Sequence, residues 1–572
     1  MTSDTGRKDT TVARRGYRVR TPDVSRAQGL GRELGLGAAV AQVLLHRALG
    51  DAADARAFLQ PTLAGLSDPS TMLGREAACE RLAHAAKHGQ RVAVFGDYDV
   101  DGTTSTAILS DMLEALGAEV VPFVANRFVG GYGFSEPALE ACLAVDPAVI
   151  VTCDCGSSDH ARIDAARRRG VDVIVVDHHL VPEEPLPALA FLNPHQPGCG
   201  FAFKWMCSAG LAFSLGAGVR ATLGASLDVR PWLDLVALGT VADVMPLEGD
   251  NRRLVRAGLK LLGAPQARPG IAALRENARV RPGTPIGGQD IGFKFGPRLN
   301  AAGRLADPVL TLELLRAREP ARARMLAARI EQLNDERKAV ERTVTEEAVA
   351  QALSVYGENP TSGIVVAARG WHRGVVGISA ARLVDRFGVP AVVVAIDEAG
   401  VGHGSGRTPD GYHLHGAFSA CRSDLLKFGG HAMAAGLSVA EGRLDALRAG
   451  FSSATPRQEL ERPMPIVDVE IGSGFPLPKA AELEGLEPLG EGNPAPVFAL
   501  PARVIDSRAV GDGQHLKLTL RAAGERLTAF QRDAGPSADE VPPELVVIGT
   551  LSADHYRGGG ALECSVQALV PP

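Results

Sequence analysis

The clearest pattern in the chain is a repeated alternation, from Arg91 onward, of short apolar runs with longer stretches that mix polar and apolar residues. Apolar runs of four or five residues are typical of buried strands, and helical spacing of apolar positions is typical of helices. The alternation predicts a parallel sheet covered by helices on both faces. The predicted strands are Val92–Phe95, Val120–Val124, Ala148–Thr152 and Val173–Val176, and the helices between them are Thr104–Leu116, Glu136–Ala144 and His160–Arg169.

The pattern changes three more times along the chain. Before the alternating region, Gly35–Ala48 and Asp51–Leu59 are expected to form a small helical segment. Glu319–Glu358 is rich in Ala, Glu, Arg and Leu and predicts one helix of roughly 55 Å, with Pro320 in its first turn. A second alternating segment follows, with predicted strands Gly363–Ala367 and Ala391–Ile396. After Pro501, short runs separated by turns predict a small β-barrel, with strands His515–Leu520, Arg526–Phe530, Glu544–Ile548 and Ala561–Val566.

These changes predict an α/β protein with two α/β lobes joined by a long helix, followed by an OB-like barrel. The expected boundaries are 1–80 for a tail and helical segment, 81–318 for the first lobe, 319–358 for the connecting helix, 359–456 for the second lobe and 457–572 for the barrel. A chain of 572 residues is long enough for three or four such domains.

Composition restricts the class of protein. Hydrophobic residues make up 45% and charged residues 22%, as in ordinary globular proteins, and no apolar run reaches the roughly 18 residues of a membrane span. The basic stretch Met1–Asp23 lacks the apolar centre of a signal peptide, so we interpret it as a solvated tail. The eight cysteines lack zinc-type spacing, which favours reduced thiols in a cytoplasmic protein.

Three aspartates in alternation follow the first predicted strand. Asp97, Asp99 and Asp101 are separated by single residues and precede Gly102, where we expect the chain to turn into a helix. If the segment is extended, a side-chain period of two places the three carboxylates on one face. Like charges this close raise one another's pKa or hold a cation, and further acids downstream favour the cation.

Two simpler interpretations explain this segment less well. Asp101 fits the N-cap of a helix that continues through Thr103, but a cap uses only one of the three acids. The spacing also matches the beginning of an EF-hand calcium loop. That loop follows a helix and needs a Glu at its twelfth position, which is Ile108 here.

Acids and imidazoles also follow three further apolar runs. Because the carboxyl ends of parallel strands meet at one edge of a sheet, these side chains are expected to lie near the three aspartates. Oxygen and nitrogen donors without thiolates are typical of Mn²⁺ or Mg²⁺, so the pattern predicts a site for one or two such ions. The side chains are Asp154 after Val149–Thr152, His178 and His179 after Val173–Val176 and Asp177, and Asp243 after Leu235–Leu238, which we interpret as a further strand.

These motifs resemble those of the DHH phosphoesterase superfamily, and from about residue 80 to the end their order is most similar to the RecJ family of bacterial single-strand-specific exonucleases. Gly96–Gly102, Asp154, Asp177–His179 and Asp243 resemble the four motifs of the family in turn. The resemblance implies a centre of two ions, Mn²⁺ or Mg²⁺. The residues to which it gives catalytic and metal-binding roles are Asp97, Asp99, Asp101, Asp154, His178, His179 and Asp243.

The chain departs from the family pattern at two positions. Relatives commonly have His at the position of Phe95 and Asn at the position of Cys155, so any metal role near Phe95 falls to Asp97. Asp177 is interpreted as a carboxylate that orients one of the imidazoles, as is common beside metal ligands.

Two groups of residues are candidates for holding phosphate. Gly296–Arg304, which we interpret as a loop beside the metal domain, offers arginines that fit phosphate bidentately, although a solvated loop is the simpler alternative. Glycine-rich loops in the second lobe predict an anion cradle and resemble the DHHA1 domain of the family, which grips substrate in relatives. The candidate substrate-binding residues are Arg298, Asn300, Arg304, His372, Ser405, Arg407 and His431.

The resemblance implies stepwise 5′→3′ release of 5′-mononucleotides from single-stranded DNA, in DNA repair and recombination, with a helicase and a single-strand binding protein as expected partners. The OB-like barrel would bind single strands, although Phe530 and Tyr556 are its few stacking aromatics. A phosphodiesterase for short oligonucleotides or cyclic dinucleotides is the nearest alternative, but such relatives lack the barrel. A non-catalytic nucleic-acid adaptor is the other alternative, but such proteins lose metal-site acids that this chain retains.

Overall fold

The computed structural model describes residues 11–14, 16–129, 133–458, 464–472, 474–555 and 560–572. The predicted basic tail up to residue 10 and Tyr556 lie outside the described residues. The chain forms two compact units. Unit 1 contains the described parts of Met1–Ala125, Val129–Gly296 and Arg462–Pro572, and unit 2 contains those of Asn126–Phe128 and Pro297–Glu461.

Unit 1 begins with a short antiparallel hairpin and four helices. The hairpin was not predicted, and the helical segment extends further toward both ends than the apolar pattern indicated. Asp51 caps its helix, since its carboxylate accepts from the backbone N–H groups of Ala53 and Asp54. The elements are β1 (Thr11–Arg14), β2 (Tyr17–Arg20), α1 (Val24–Leu34), α2 (Ala38–His46), α3 (Ala52–Leu59) and α4 (Arg75–Lys87).

The predicted parallel sheet follows and is confirmed. All of its neighbouring strands run parallel, in the spatial order β4-β3-β5-β6-β7. The central strands are buried almost throughout because helices cover both faces, which explains their continuous apolar runs. The elements are β3 (Arg91–Gly96), α5 (Val100–Ala115), β4 (Glu119–Val124), α6 (Glu136–Leu143), β5 (Val149–Cys153), α7 (His160–Arg168), β6 (Asp172–Val176) and β7 (Ala190–Leu192).

The remaining part of this region is helical, and the strand predicted at Leu235–Leu238 is wrong. These residues lie in a helix, Leu233–Ala242, in which every residue from Leu233 to Thr240 is buried. A helix buried on all sides has the same continuous apolar run as a buried strand, so periodicity cannot distinguish them. The elements are α8 (Ser208–Leu223), α9 (Leu233–Ala242), α10 (Gly249–Gly263), α11 (Pro269–Asn277), α12 (Gly288–Asp290) and a π-helical turn at Ile291–Phe295.

Unit 2 contains the predicted long helix and a five-stranded mixed sheet. The helix spans 37 residues, Pro320–Tyr356, with Pro in its first turn as expected. The sheet order is β11-β12-β10-β9-β8, in which only the β8–β9 pair is parallel. The elements are α13 (Gly296–Leu305), α14 (Val309–Arg316), α15 (Pro320–Tyr356), β8 (Ile364–Arg369), α16 (Val376–Phe387), β9 (Ala391–Ile396), β10 (Val401–Arg407), α17 (Leu414–Ala420), β11 (Lys427–Gly430), β12 (Ala434–Ala440) and α18 (Leu444–Ala454).

Two segments of unit 2 that were interpreted as loops are regular elements. Gly296–Arg304 lies in α13, where Pro297 occupies the first turn and the following Leu, Asn and Ala residues continue the helix. Gly402–Arg407 lies in strand β10. Side chains from both neighbours crowd its glycines: a Cβ at Gly404 would lie 2.8 Å from a methyl carbon of Leu437. The glycines of β10 therefore allow close packing and do not mark a turn.

The last part of unit 1 is a closed barrel, as predicted. Its strands form the ring β15-β16-β17-β19-β18, which the pairing of β15 with β18 closes. All four predicted strands are confirmed, and the 14-residue strand β15 is additional. The elements are β13 (Ile466–Val467), β14 (Val469–Glu470), α19 (Ala480–Glu484), β15 (Val497–Val510), β16 (His515–Ala522), β17 (Glu525–Gln531), β18 (Glu544–Ala553) and β19 (Leu562–Val570).

The barrel and the first helices of the chain share one hydrophobic core. Buried residues of α1, α2 and α3 belong to the same cluster as the inward-facing residues of the barrel strands. Strand β13 also pairs in parallel with β2, which adds a third strand to the N-terminal hairpin. Among the described residues, none of the helices has both the length and the apolar character that a bilayer span requires.

Candidate metal centre

The three alternating aspartates lie where strand β3 turns into helix α5, and they are not on one extended face as predicted. Asp97 follows the strand, Asp99 is the N-cap of the helix and Asp101 lies in its first turn. The carboxylate of Asp99 accepts from the backbone N–H of Gly102 at 3.0 Å, so Asp99 and not Asp101 caps the helix. The turn is tight: a Cβ at Gly102 would lie 2.4 Å from the backbone oxygen of Asp97.

The buried carboxylate of Asp101 points to the beginning of another helix. Its two oxygens accept from the backbone N–H groups of Ser208 and Ala209 of α8, at 2.8 and 2.9 Å. Helix N-termini have unpaired donors and a partial positive charge, so they stabilise a carboxylate there. This support was not predicted, although Cys207-Ser208 before an apolar run is a sequence signal for a helix start.

Asp154 ends strand β5 in an unusual backbone conformation. Its φ is +62°, in the left-handed region that non-glycine residues rarely adopt. Its backbone N–H donates to the oxygen of Val176, and its Oδ1 accepts from the hydroxyl of Ser208 at 3.2 Å. Residues held in this region concentrate at functional sites, where the surrounding structure imposes the conformation.

The carboxylate of Asp177 organises the two histidines that follow strand β6. Its Oδ1 accepts from the backbone N–H groups of both His178 and His179, and from Nδ1 of His179 at 2.7 Å. Its Oδ2 accepts from the backbone N–H of Ser157 at 3.1 Å. Asp177 therefore orients the imidazole of His179, and this leaves Nε2 of that ring available for another contact.

These contacts also set the charges of the Asp177–His179 pair. Burial alone raises the pKa of Asp177, but the hydrogen bonds from His179 and Ser157 and the charges of the two imidazoles outweigh it and lower the pKa to about 2. The hydrogen bond to Asp177 raises the pKa of His179 to about 9, against the opposing effect of burial. The pair is therefore ionic at neutral pH when no metal is present.

All seven residues predicted as metal ligands lie in three overlapping groups. Within each group, the candidate ligand atoms are all within 4.8 Å of one another. Nε2 of His178 lies 3.3 Å from Oδ1 of Asp154 and 3.2 Å from Oδ2 of Asp243, although Asp243 comes from the end of helix α9 and not from a strand. The groups are Asp97, Asp99 and Asp154; Asp101, His178 and Asp243; and Asp154, His178 and His179.

The acids of these groups are held where they are costly to ionise. Burial raises the pKa of Asp154 well above its ordinary value, with further increases from Asp99 and Asp101. Burial and the same two neighbours raise the pKa of Asp243 to about 9. Burial also raises the pKa of Asp101, despite the opposing charge of His178. Several buried carboxylates that repel one another are typical of a site built for a cation.

The atoms in this centre fit divalent manganese or magnesium. Nε2 of His178 and Oδ2 of Asp243 are buried, and neither has a hydrogen-bond partner among the residues that the structure describes. The groups offer only oxygen and nitrogen donors, which suit these ions. The neighbouring thiols have other contacts: Sγ of Cys155 lies 3.5 Å from the backbone oxygen of Cys153, and Sγ of Cys207 lies 3.4 Å from the hydroxyl of Thr240.

The two positions that depart from the family pattern have packing roles. The ring of Phe95 is buried and meets that of Phe134 edge to face, with ring centroids 5.3 Å apart. Cys155 belongs to the same hydrophobic cluster. Neither side chain adds a ligand atom to the groups above.

In unit 2, helix α13 carries three of the predicted substrate-binding residues. The guanidinium of Arg298 forms a bidentate ion pair with Glu331 of α15, with N–O distances of 2.6 and 3.0 Å. Arg304 donates to the backbone oxygen of Gly374, two residues before helix α16 begins. Asn300 is half-buried between them in the same helix. Arg298 is therefore engaged by a carboxylate in this structure.

Ser405 and Arg407 lie on strand β10, against the first turn of helix α16. Nη1 of Arg407 donates to the hydroxyl of Ser405 at 3.0 Å. A Cβ at Gly377 of α16 would lie 3.0 Å from that hydroxyl oxygen and 3.1 Å from Nη2 of Arg407, so glycine permits this close approach. The arrangement combines a guanidinium, a hydroxyl and the positive end of a helix, which is a suitable combination for a phosphate.

Two histidines complete the predicted cradle of unit 2. His372 lies in the loop before α16, where its Nδ1 accepts from the backbone N–H of Gly374 and its ring meets Phe128 edge to face. Burial lowers the pKa of His372, as do the neighbouring charges of Arg373 and Arg127. His431 is exposed in the turn between β11 and β12, next to Ala434, the residue that pairs with Arg407 in the sheet.

Three family models match the sequence in the order that the motifs predict. Residues 91–240 match the N-terminal domain of the DHH family, residues 361–454 match the DHHA1 domain, and residues 473–568 match the RecJ OB domain. The candidate metal ligands lie in or directly after the first of these ranges, and Ser405 and Arg407 lie in the second.

Whole proteins match over nearly the same length. The chain is 37% identical over 540 residues to the single-stranded-DNA-specific exonuclease RecJ of Dickeya dadantii, covering 90% of this chain and 93% of that protein. It is similar to the structure of Thermus thermophilus RecJ in complex with Mn²⁺, with 31% identity and a TM-score of 0.78 over 97% of this chain and 79% of that one. The Mg²⁺ complex of the same protein matches with 29% identity and a TM-score of 0.74, over 97% and 78%. With the domain order, the identity and the length all in agreement, the chain belongs to the RecJ family.

Proposed function

We propose that the chain is a metal-dependent exonuclease that hydrolyses single-stranded DNA from its 5′ end to 5′-mononucleotides. The observation that carries this proposal is the convergence of seven acids and imidazoles, in three overlapping groups, at the carboxyl edge of the first sheet. The relatives named above are RecJ exonucleases specific for single-stranded DNA, and one was solved with Mn²⁺ and with Mg²⁺. Two such ions supply an activated water and neutralise the charge that develops on the phosphate.

The groups support a division of the ligands between two ions. Asp97, Asp99 and Asp154 would hold one ion, and Asp101, His178 and Asp243 would hold the other. His179 lies within reach of Asp154 and His178, on the more exposed side of the centre. We assign it to the substrate-facing side, where Asp177 keeps Nδ1 engaged and directs Nε2 toward a metal or a phosphate oxygen.

The protein contributes rigidity to this centre. Asp101 is fixed by two backbone N–H groups of α8, and Asp154 by the hydroxyl of Ser208 and by its own strained backbone. Ligands held in this way do not need to reorganise when a cation or the reacting phosphate arrives. Residues that several elements of unit 1 hold in place would therefore position the ions, and through them the water and the phosphate.

Binding of a terminal phosphate is assigned to unit 2. Ser405 and Arg407 of β10 lie against the first turn of α16. Arg304 and His372 are nearby, because each forms a hydrogen bond with the backbone of Gly374. His431 lies beside β12, the strand that pairs with β10. A phosphate bound here accepts from the guanidinium, the hydroxyl and helix N–H groups. Recognition of a 5′-phosphate at this cradle gives the reaction its polarity. For Arg298 and Asn300 a phosphate contact stays a prediction, since Arg298 would have to exchange Glu331 for it.

Binding of the strand away from the cut is assigned to the barrel. Two rows of cross-strand neighbours run across β15, β16 and β17, and most of their residues are cationic. Phe530 adds an exposed ring next to His515. Cations that track the backbone together with aromatic rings are typical of OB folds that bind single strands. The rows are Arg508, Lys517 and Phe530, and Arg503, Arg521 and Arg526.

We also propose boundaries for the domains and a cellular setting for the reaction. The ranges of the three family models support domains at 81–318, 359–456 and 457–572, with the helix 319–358 between the first two. The bacterial sources of the relatives support work in the bacterial cytoplasm, in DNA repair and recombination. Helicase and single-strand binding protein partners follow from the family resemblance alone.

Digestion of end-labelled DNA tests the proposal. The purified chain is incubated with Mn²⁺ or Mg²⁺ and with single or double strands that carry the label at the 5′ or the 3′ end. We expect single strands to be degraded, with 5′ label released as mononucleotide first, and no reaction in EDTA. Early loss of the 3′ label would contradict the polarity, and equal digestion of duplexes would contradict the strand selectivity. A rate that falls beyond a few nucleotides would indicate a short-oligonucleotide phosphodiesterase instead.

A further inference from the structure

Two aromatic side chains form an exposed pair that the proposed reaction does not use. The rings of His195 and Trp205 meet edge to face, with centroids 5.4 Å apart, and Trp205 is 40% exposed. We call this pair the aromatic platform. Trp residues are enriched at binding interfaces, where their large apolar surface becomes buried, so an indole with this much surface in water is a candidate for binding a further flat group.

The His195 side of the platform is joined to the metal centre by one buried side chain. The amide nitrogen of Asn193 donates to the backbone oxygen of His179 at 2.8 Å, and its amide oxygen accepts from the backbone N–H of His195 at 2.9 Å. Asn193 is fully buried, so both hydrogen bonds are protected from water. The backbone of His195 is therefore held at a fixed place relative to the candidate ligand His179.

The Trp205 side is joined to the centre twice. Trp205 lies three residues before Ser208, whose N–H binds Asp101, and three residues span at most about 11 Å. The amide nitrogen of Asn251 also donates to the backbone oxygens of both Trp205 and Pro246, at 2.6 and 3.0 Å. Pro246 comes three residues after the candidate ligand Asp243. The platform is thus part of the rim of the metal centre.

Further exposed apolar side chains directly follow two of the ligands. Leu180, after His179, is 79% exposed, and Val244, after Asp243, is 64% exposed. Val244 has a φ of +56° at the end of helix α9, where glycine is usual and a β-branched residue is strained. Burial does not compensate for this strain, because most of the side chain is in solvent. An apolar ligand at the rim would account for both residues.

We propose that the aromatic platform stacks on a nucleobase of the single strand next to the phosphate that is hydrolysed. This inference rests on the proposed function and adds the residues that recognise the base. Every base has a flat π-face, so stacking accepts any sequence. Bases within a duplex are already paired and stacked on both sides, so the platform favours an unpaired strand. Ions at the metal centre would contact the phosphate, a group that single and double strands share, so they would not distinguish the two.

Fluorescence tests the contact without catalysis. The chain has three tryptophans, and Trp371 is buried in unit 2. Single-stranded oligothymidylate is titrated in EDTA into the wild type, Trp205→Phe and the matched control Trp232→Phe. We expect DNA to quench the wild type and Trp232→Phe, and the quenching to be largely lost in Trp205→Phe. Equal quenching in Trp205→Phe and the wild type would overturn the platform.

Kinetics test its role in the reaction. Stacking on one base changes affinity by about 5- to 100-fold, so KM of Trp205→Ala for single strands should rise within that range while kcat changes less. Trp205→Phe should restore most of the affinity, and Leu426→Ala, which removes an even more exposed apolar side chain in unit 2, should change nothing. With a strand whose first three nucleotides from the 5′ end are abasic, wild type and Trp205→Ala should have the same KM.

The outcomes separate this inference from the proposed function. If the wild type hydrolyses no DNA in any metal, the proposed function fails, and the fluorescence titration still reports on the platform. If the wild type is active and Trp205→Ala has an unchanged KM on strands with normal bases, the platform alone fails. Thermal unfolding of each variant in EDTA identifies any variant that has lost its fold, in which case His195→Ala is tested in its place.

Discussion

Nε2 of His178 lies 3.2 Å from Oδ2 of Asp243, and neither atom has a hydrogen-bond partner among the described residues. Leaving such atoms buried and unpaired costs free energy, which a cation between them would recover. The same imidazole nitrogen lies 3.3 Å from Asp154, which belongs to two of the three ligand groups. These contacts make Asp154 the most informative position for testing the centre.

Asp154→Asn should remove hydrolysis but not the fold. The amide keeps the size of the carboxylate and tolerates the left-handed backbone, while its neutral charge relieves the repulsion by Asp99 and Asp101. We expect activity to fall by more than about 100-fold, beyond the effect usual for residues that only support ligands. In EDTA the melting temperature should stay equal or rise. Full turnover in this variant would remove Asp154 from the centre.

Metal binding should stabilise the wild type far more than Asp154→Asn. A ligand at 100 times its Kd adds about 2.7 kcal/mol to the free energy of unfolding. Thermal unfolding with increasing Mn²⁺ measures this gain, and the variant should show a much smaller one. An equal Mn²⁺-dependent shift in both proteins would place the stabilising ion elsewhere.

Asp177→Asn should weaken the centre through His179. The amide cannot reproduce the charged acceptor that holds Nδ1 at 2.7 Å, so the ring loses its fixed orientation. A loss of about 10- to 100-fold in Mn²⁺ affinity or activity is expected. The matched control is Asp172→Asn at the opposite end of strand β6, where the carboxylate pairs with Arg81 outside the centre. Isothermal titration with Mn²⁺ compares the two, and equal affinities would contradict the role of Asp177.

Affinity for Mn²⁺ should increase with pH between about 6 and 8.5, because ligand carboxyls must release their protons before they bind a cation. The pKa of Asp243 is about 9 without metal, raised mainly by burial. A carboxyl whose pKa is raised on folding stabilises the metal-free protein below the unfolded value, and this contribution is lost as pH rises toward the folded value. Urea unfolding in EDTA should therefore show lower stability toward pH 9. Asp243→Asn should weaken the pH dependence of Mn²⁺ affinity and the pH dependence of stability. If both stay as in the wild type, Asp243 is not the group that titrates.

Arg407→Ala should reduce the preference for a 5′-phosphate. The guanidinium and the hydroxyl of Ser405 are 3.0 Å apart at the beginning of α16, so removing the charge leaves a weaker cradle. Charge-assisted contacts contribute about 1.5–3 kcal/mol, which corresponds to a KM increase of roughly 10- to 100-fold on 5′-phosphorylated strands. Strands with a 5′-hydroxyl should be nearly unaffected. An equal increase on both substrates would indicate a general structural effect.

Arg521→Ala with Arg526→Ala should lower the salt dependence of single-strand binding. These residues pair across β16 and β17 on the outer face of the barrel. Each lost phosphate contact reduces the slope of log K against log salt by about 0.7 for single strands. Fluorescence anisotropy at several salt concentrations measures the slope, and Lys479→Ala, an exposed cation of the same unit at the start of α19, is the control. A slope equal to that of the wild type would exclude this face.

The sequence predicts the fold well where the period of the apolar residues is decisive. Strands β3 to β6 and the four barrel strands appear as bounded apolar runs, and the long helix α15 has a uniform composition over its length. Prediction fails where burial on all sides hides the period, as in α9. It fails again where glycine serves packing and not turning, as in β10.

The sequence identifies the residues of the candidate site but does not predict how they are arranged. Asp97 and Asp99 lie in one candidate group and Asp101 lies in another, because the chain turns into α5 between them, which spacing along an extended chain could not indicate. The support of Asp101 by Ser208 depends on two segments far apart in sequence. A backbone N–H carries no residue-specific signal, so only the folded chain reveals such a contact.

The core shared by helices α1 to α3 and the barrel strands has a consequence for biosynthesis. The ribosome makes these helices several hundred residues before β19 emerges, so their apolar faces stay without their packing partners through most of translation. Contacts between such distant segments form slowly and expose aggregation-prone surface meanwhile. The first helices of the nascent polypeptide are therefore where a chaperone has most to protect.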